Sequence, residues 1–322
     1  MQTSIDTFVA AATVAGHAPS IHNSQPWRWV AHADALDLYR EHNFRLRVTD
    51  PEDRLTTLSC GAALHHARIA LAAEGYATEV ARLPDRFEPS HLAHLNVTDD
   101  LPTTEDAKGA RQAIEIRHTD RRPSTGPRVD ADQLGAVTAA AACEGTSLYV
   151  LPRDAVTELA AATADAQRTQ ALEPEWRAEL AYWAGGTRAG GTGVPDSTIP
   201  ERPTETTVPS RDFGRTGSLP VSAANDEGAI FAMVYGAQDE PVDWLRAGEG
   251  VSSAWLAAVR HGVSVLPMSA TIELDTTRLA LRRLLAGRGE PFLVLRLGRA
   301  EPEDTVPSHP PRVAAGQRIE RA

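Results

Sequence analysis

The chain has 322 residues, enough for one large domain or two of ordinary size, and its 42% hydrophobic and 23% charged residues describe an ordinary globular composition. No apolar run reaches bilayer-spanning length, and the N-terminus MQTSIDTFVAAATVAG lacks the basic start of a signal peptide, so a cytoplasmic protein with no membrane contact is expected. A net charge of −11 without a long basic run argues against a nucleic-acid partner.

Residues 2 to 16 predict a helix, with Ile5, Phe8, Val9 and Ala12 at helical spacing, and Gly16 ends it. The polar stretch APSIHNSQPWRW (18–29) follows, and WRWVAHADALDLYRE alternates about Ala33-Asp34 as a hairpin. An Ala-rich helix is expected over 57–74, a strand near 91–97, and a polar link DDLPTTED closes the first half. The second half starts with a helix over 105–116 that runs into IRHTDRRP. Helices over 131–143, 154–170, 174–184, 242–262 and 276–286 and strands SLYVLP, GAIFAMVYG and PFLVLRLG follow. Between Gly185 and Pro220 the sequence is rich in Gly, Pro, Thr and Ser without periodicity, as in a lid. The tail from Arg299 is Pro-rich and reads as irregular.

The halves repeat. CGAALHHARIALAAEG (60–75) aligns without gaps to AGEGVSSAWLAAVRHG (247–262) at an offset of 187, pairing Gly61 with Gly248, Ala67 with Ala254 and Gly75 with Gly262. Val30 against Val150 gives an offset of 120. The difference of the two offsets, 67 residues, coincides with the two helices and the Gly/Pro segment at 154–220.

Cys60 and Cys143 form no CxxC pair and read as two buried small apolar residues. The eleven histidines are scattered, and the adjacent His65 and His66 cannot share one helix face, so no metal site is expected. No Ser/His/Asp or Cys/His constellation stands out, and there is no GxGxxG.

Two stretches carry candidate chemistry. In APSIHNSQPWRW, Pro19 and Pro26 hold the backbone extended while Ser20, Asn23 and Gln25 offer short donors and acceptors, which suits a loop pressed against a flat polar ring with an anionic tail. On the residues alone it also reads as a plain polar loop between helix and strand. IRHTDRRP places Arg117, Thr119 and Arg121 at a helix end, a donor set suited to phosphate. It also reads as a solvated basic run favoured by the helix dipole, with Asp120 free to neutralise one arginine.

The first stretch resembles the flavin loop of the FMN-dependent nitroreductase-like superfamily, Pro-Ser-x-x-Asn-x-Gln-Pro-Trp/Phe. Arg117, Thr119 and Arg121 match its Arg-x-Ser-x-Arg phosphate run, with threonine replacing serine. The chain looks most like the Acg-type single-chain branch of actinobacteria, in which two halves are fused. The resemblance implies an α+β nitroreductase-like fold with mixed or antiparallel sheets flanked by helices. Its two pseudo-repeated halves, 1–103 and 104–322, would form an intramolecular dimer, compatible with a further homodimer. Each half keeps one motif and lacks the other, which implies one composite FMN site per chain.

The cofactor contacts implied are Pro19, Ser20, Asn23, Gln25, Arg117, Thr119 and Arg121, with Met268 and Ser269 beside the reactive ring edge and Arg312 as a last phosphate ligand. The flavin then carries the chemistry, with no catalytic side chain required, and moves hydride from NAD(P)H to a small acceptor such as a nitroaromatic or quinone. A flavin-sequestering protein with a closed lid is the alternative, and a paralogue that has lost flavin would purify colourless.

Overall fold

The computed structural model describes residues 3–185, 188, 190–222, 225–299 and 309–322. The first apolar pattern forms α1 (Ile5–Ala15), and the alternating stretch after the polar loop forms the hairpin β1 (Trp27–Ala31) and β2 (Ala35–Arg40). Next come α2 (Arg54–Ala73), β3 (Tyr76–Arg82), β4 (His91–Asp100) and α3 (Glu105–Ile116). The chain continues with α4 (Ala131–Cys143), β5 (Ser147–Val150), α5 (Arg153–Leu172), α6 (Pro174–Trp183), β6 (Ile230–Gly236) and α7 (Pro241–Arg260). It ends with β7 (Ser264–Met268), the one-turn α8 (Ala270–Glu273), α9 (Asp275–Leu284), β8 (Glu290–Gly298) and β9 (Ile319–Arg321).

Local chemistry sets the helix starts. Asp130 and Gln133 form a reciprocal capping box on α4, at 2.8 and 3.0 Å, and the Thr104 hydroxyl accepts from Ala107 N on α3. Asp50 accepts from Leu55 N and Thr56 N, so an upstream carboxylate satisfies two of the orphan donors of α2.

The strands make two sheets, in the orders β3-β4-β2-β1-β9 and β5-β6-β8-β7. Apart from β9, the first sheet orders its strands as third, fourth, second, first, and the second sheet repeats that order with its own four strands. All of these pairs are antiparallel; β9 alone pairs parallel, against β1. The sheets are therefore mixed in one case and antiparallel in the other, in an α+β architecture.

Between them α2 and α7 cross, both buried over most of their length. A Cβ at Gly61 would stand 2.0 Å from the Leu245 carbonyl oxygen, and one at Gly248 would stand 1.9 Å from the Leu58 oxygen. Each contact is the other displaced by 187 residues. His65 Nδ1 and Ser252 Oγ, a third pair at that offset, meet each other at 2.9 Å where the crossing folds onto itself. Burial, against the attraction of Glu144, lowers the His65 imidazole to about 4, so it is neutral at this contact.

The structure corrects several expectations. Cys60 is buried, but Cys143 is exposed, because the last turn of α4 presents it to solvent. The tail is not wholly irregular: it ends in a 3₁₀ turn over Ala315–Gln317 and in β9. Three residues are too few to show a period, so the strand has no sequence signal. β3 and β7 also lacked one, β3 because its residues are mostly half-buried, β7 because it is short and contains Pro267. The Pro-rich stretch 300–308 and lid residues 186, 187 and 189 lie outside the described residues. Among the described residues no helix is long and apolar enough to cross a membrane.

Gly61→Ala or Gly248→Ala forces the two backbones apart. Each should cost at least about 1–3 kcal/mol, the range for overpacking a close contact, read as a lower denaturant midpoint at unchanged slope. Unchanged midpoints in both variants would contradict the crossing described.

Candidate functional site

A cavity opens beside the helix crossing. Leu58, Ser59 and Ala62 of α2 and Val251 and Trp255 of α7 form its floor, and the end of β7 closes one side. The other walls are the loop after α1, the segment after α3, the lid and the tail.

The loop after α1 is strained. His22, Asn23 and Gln25 have φ of 48°, 54° and 51°, three non-glycine residues in a region that costs energy and that collects at ligand sites. Ser20 Oγ accepts from Gln25 N at 3.0 Å, and Ser59 Oγ accepts from Ile21 N at 3.1 Å, which fixes the turn against α2. Pro19, Ser20, His22 and Asn23 line the cavity. Gln25 stands behind the wall: its Nε2 donates to Gly191 O at 2.8 Å and its Oε1 accepts from Val313 N at 2.9 Å. It joins loop, lid and tail. Asn23 works similarly, donating to Gly193 O and Pro311 O while its Oδ1 accepts from Arg312.

Arg117, Thr119 and Arg121 reach the cavity from the end of α3, and Arg312 reaches it from the tail. The Arg117 guanidinium lies 4.6 Å from the Trp255 ring centroid and donates to His17 O, a carbonyl that also accepts from Arg312 at 3.1 Å. Two cations thus share one oxygen. Burial and the neighbouring Arg312 pull Arg117 down to about 9, and burial alone pulls Arg312 to about 10. Arg121 falls to about 10 through burial and the nearby Arg211; it donates to Thr198 O in the lid at 3.1 Å. Among the described residues no carboxylate pairs with any of the three. Asp120 is held bidentate by Arg122 at 2.9 and 2.8 Å, and Glu273 pairs through one oxygen with Arg211, so the neighbouring acids are taken.

Met268 and Ser269 also line the cavity. Met268 ends strand β7 rather than standing in a loop, and Ser269 Oγ bonds Glu273 at 2.7 Å. All the sequence-designated residues except Gln25 therefore meet at one cavity.

Two further side chains were not designated from the sequence. His22 Nε2 is buried, its residue lines the cavity, and it has no hydrogen-bond partner among the described residues; burial, then Arg211 and Arg121, hold its imidazole well below the usual value, hence neutral. The Trp255 indole N–H is likewise buried and unpaired. His22 stood at a variable position of the loop pattern, and Trp255 lies seven residues past Gly248 with only its helical period to mark it.

No family model matches the chain. "Putative NAD(P)H nitroreductase Rv3131" of Mycobacterium tuberculosis is 36% identical over 301 residues, covering 92% of this chain and 86% of that one. The chain belongs to the nitroreductase-like family. This nitroreductase-like chain is also 31% identical to "Putative NAD(P)H nitroreductase acg" of the same organism, covering 95% and 93% of the two chains. Among solved structures, a nitroreductase with bound FMN from Bacteroides fragilis is 13% identical with a TM-score of 0.40, covering 64% of this chain and 95% of that one.

Arg117→Met removes a buried cation that has no counter-charge, so the ligand-free variant should melt no lower than the parent. Inorganic phosphate, by binding the folded state, should raise the parent's Tm and leave the variant's unmoved. A lower-melting variant that still responds to phosphate would contradict this reading of the arginines.

Proposed function

We propose that this chain is an FMN-dependent oxidoreductase of nitroreductase type, binding one FMN per chain in the cavity beside the α2–α7 crossing. The observation that carries the reading is the set of three buried guanidiniums, Arg117, Arg121 and Arg312, that share one cavity without a carboxylate partner among the described residues. A phosphate monoester supplies the missing charge and accepts their hydrogen bonds in pairs. The unpaired His22 Nε2 and Trp255 N–H, together with an apolar floor, suit the remainder of such a ligand. The names of the relatives, NAD(P)H nitroreductases, support the same chemistry.

Bound FMN would supply two-electron chemistry between NAD(P)H and a small acceptor such as a nitroaromatic or quinone. The chain's own part is binding and control. Arg117, Arg121, Thr119 and Arg312 would hold the phosphate, Ser20 and the strained loop would shape the ring pocket, and Met268 and Ser269 would stand at the opposite wall. The reading includes two pseudo-repeated halves, 1–103 and 104–322, related about the His65–Ser252 contact as an intramolecular dimer. The repeated strand order and the reciprocal glycine contacts support it.

A specific observation favours flavin sequestration as a second reading. The lid walls the cavity and is held at two places along its length. Gln167 of α5 bonds the carbonyls of Pro209 and Ser210 at 3.2 and 3.0 Å, while Gln25 and Asn23 hold Gly191 and Gly193.

Anaerobic addition of NADPH to the FMN-loaded protein separates the two. Rapid bleaching of the flavin band is the expected result for a reductase. Persistence of the band, relieved in Gln25→Gly, which frees the lid while tolerating the positive φ, is the signature of sequestration. A protein that takes up no FMN would contradict both.

A further inference from the structure

The outer face of the first sheet carries a second concentration of chemistry, and none of its residues lines the cavity. Asp37 on β2 is only 7% exposed, and three imidazoles converge on its carboxylate. His91 Nε2 and His94 Nδ1 lie 2.8 and 2.6 Å from Oδ1, and His32 Nε2 lies 2.9 Å from Oδ2. The ligand atoms of Asp37, His91 and His94 all fall within 4.8 Å of one another.

The backbone is shaped to bring them together. Residues three apart on a regular strand point to opposite faces, which would separate His91 from His94. A register shift between Leu38 and Tyr39 sets His91 opposite Tyr39 and His94 opposite Asp37, so the bulge turns both rings to one face. Tyr39 stacks on His91 with centroids 4.5 Å apart and planes 18° apart, and the Arg28 guanidinium covers Tyr39 from 4.5 Å. That stack fixes the His91 ring plane. His32, half-exposed at the turn between β1 and β2, closes the set from the remaining side.

We propose that Asp37, His91 and His94, with His32 as fourth ligand, bind a divalent transition-metal ion of the zinc type. Neutral imidazole nitrogen and carboxylate oxygen are ligands of that class, and three nitrogens to one oxygen disfavour calcium or magnesium. Ligand atoms on a tetrahedral zinc stand roughly 3.3 Å apart, so the rings of His91 and His94 would draw back from hydrogen-bonding distance while His32 would swing in from the Oδ2 side. Binding exchanges the hydrogen bonds to Asp37 for N–metal and O–metal bonds and displaces any proton the ligating nitrogens carry. The ion would tie the β1–β2 turn to β4.

The test uses the tag-free full-length chain, stripped with chelator and titrated with Zn2+ in a calorimeter, with Co2+ as a spectroscopic probe. One equivalent of zinc, a raised Tm and the visible absorption of four-coordinate cobalt are the expected results. His91→Ala/His94→Ala should weaken zinc binding about 100-fold or more while melting cooperatively without metal. Should that variant fail to fold, His94→Gln, which keeps a hydrogen bond to Asp37, makes the same comparison. A parent chain that takes up no zinc, or variants that bind it with the parent's stoichiometry and affinity, would overturn the proposal.

Discussion

Three positive charges in the walls of one cavity, without a neutralising carboxylate among the described residues, are the constraint to which the rest of the site answers. Burying an unpaired guanidinium is costly, and Arg117 and Arg312 compound it by sharing the His17 carbonyl. The surroundings offset the cost in part. Trp255 offers its ring face to Arg117, Phe213 lies beneath Arg121, and backbone oxygens of His17 and Thr198 accept from them. Available acids are directed elsewhere, Asp120 to Arg122 and Glu273 to Arg211. The arrangement keeps a site electropositive until an anion enters.

The helix crossing makes that cavity possible. Gly61 and Gly248 let α2 and α7 approach until a carbonyl of each fills the other's missing side chain, and the cavity floor is built from the residues flanking that contact. The loop after α1 and the arginines after α3 both border the cavity beside that contact. Loop, lid and tail are then joined by two amides, Asn23 and Gln25, so that the cavity's mouth and its polar wall are one hydrogen-bonded unit.

Much of this was legible in the sequence, for identifiable reasons. Helices with caps and a clear period, such as α3 and α4, match their expected spans, and the gapless repeat had already paired Gly61 with Gly248, the two glycines found at the crossing. The site residues were found through short polar motifs whose side chains do meet at one cavity. Roles were less legible than positions: Asn23 and Gln25 look from the sequence like ring ligands, yet their carboxamides also hold the lid and tail, contacts that span well over a hundred residues. His22 and Trp255 gave no signal because burial without a partner is a property of the fold. The Asp37 cluster escaped because a β-bulge, invisible in the alternation of β4, aligns His91 with His94.

We propose that the buried arginines require a phosphate-bearing ligand. This requirement is tested most directly by comparing the affinities of FMN and riboflavin for the ligand-free chain, measured by quenching of flavin fluorescence. Two or more charge-assisted hydrogen bonds at about 1.5–3 kcal/mol each predict that FMN binds at least about 100-fold tighter, and that added phosphate competes with FMN but not with riboflavin. Equal affinities for the two flavins would show that the arginines do not hold the phosphate, and would contradict the account.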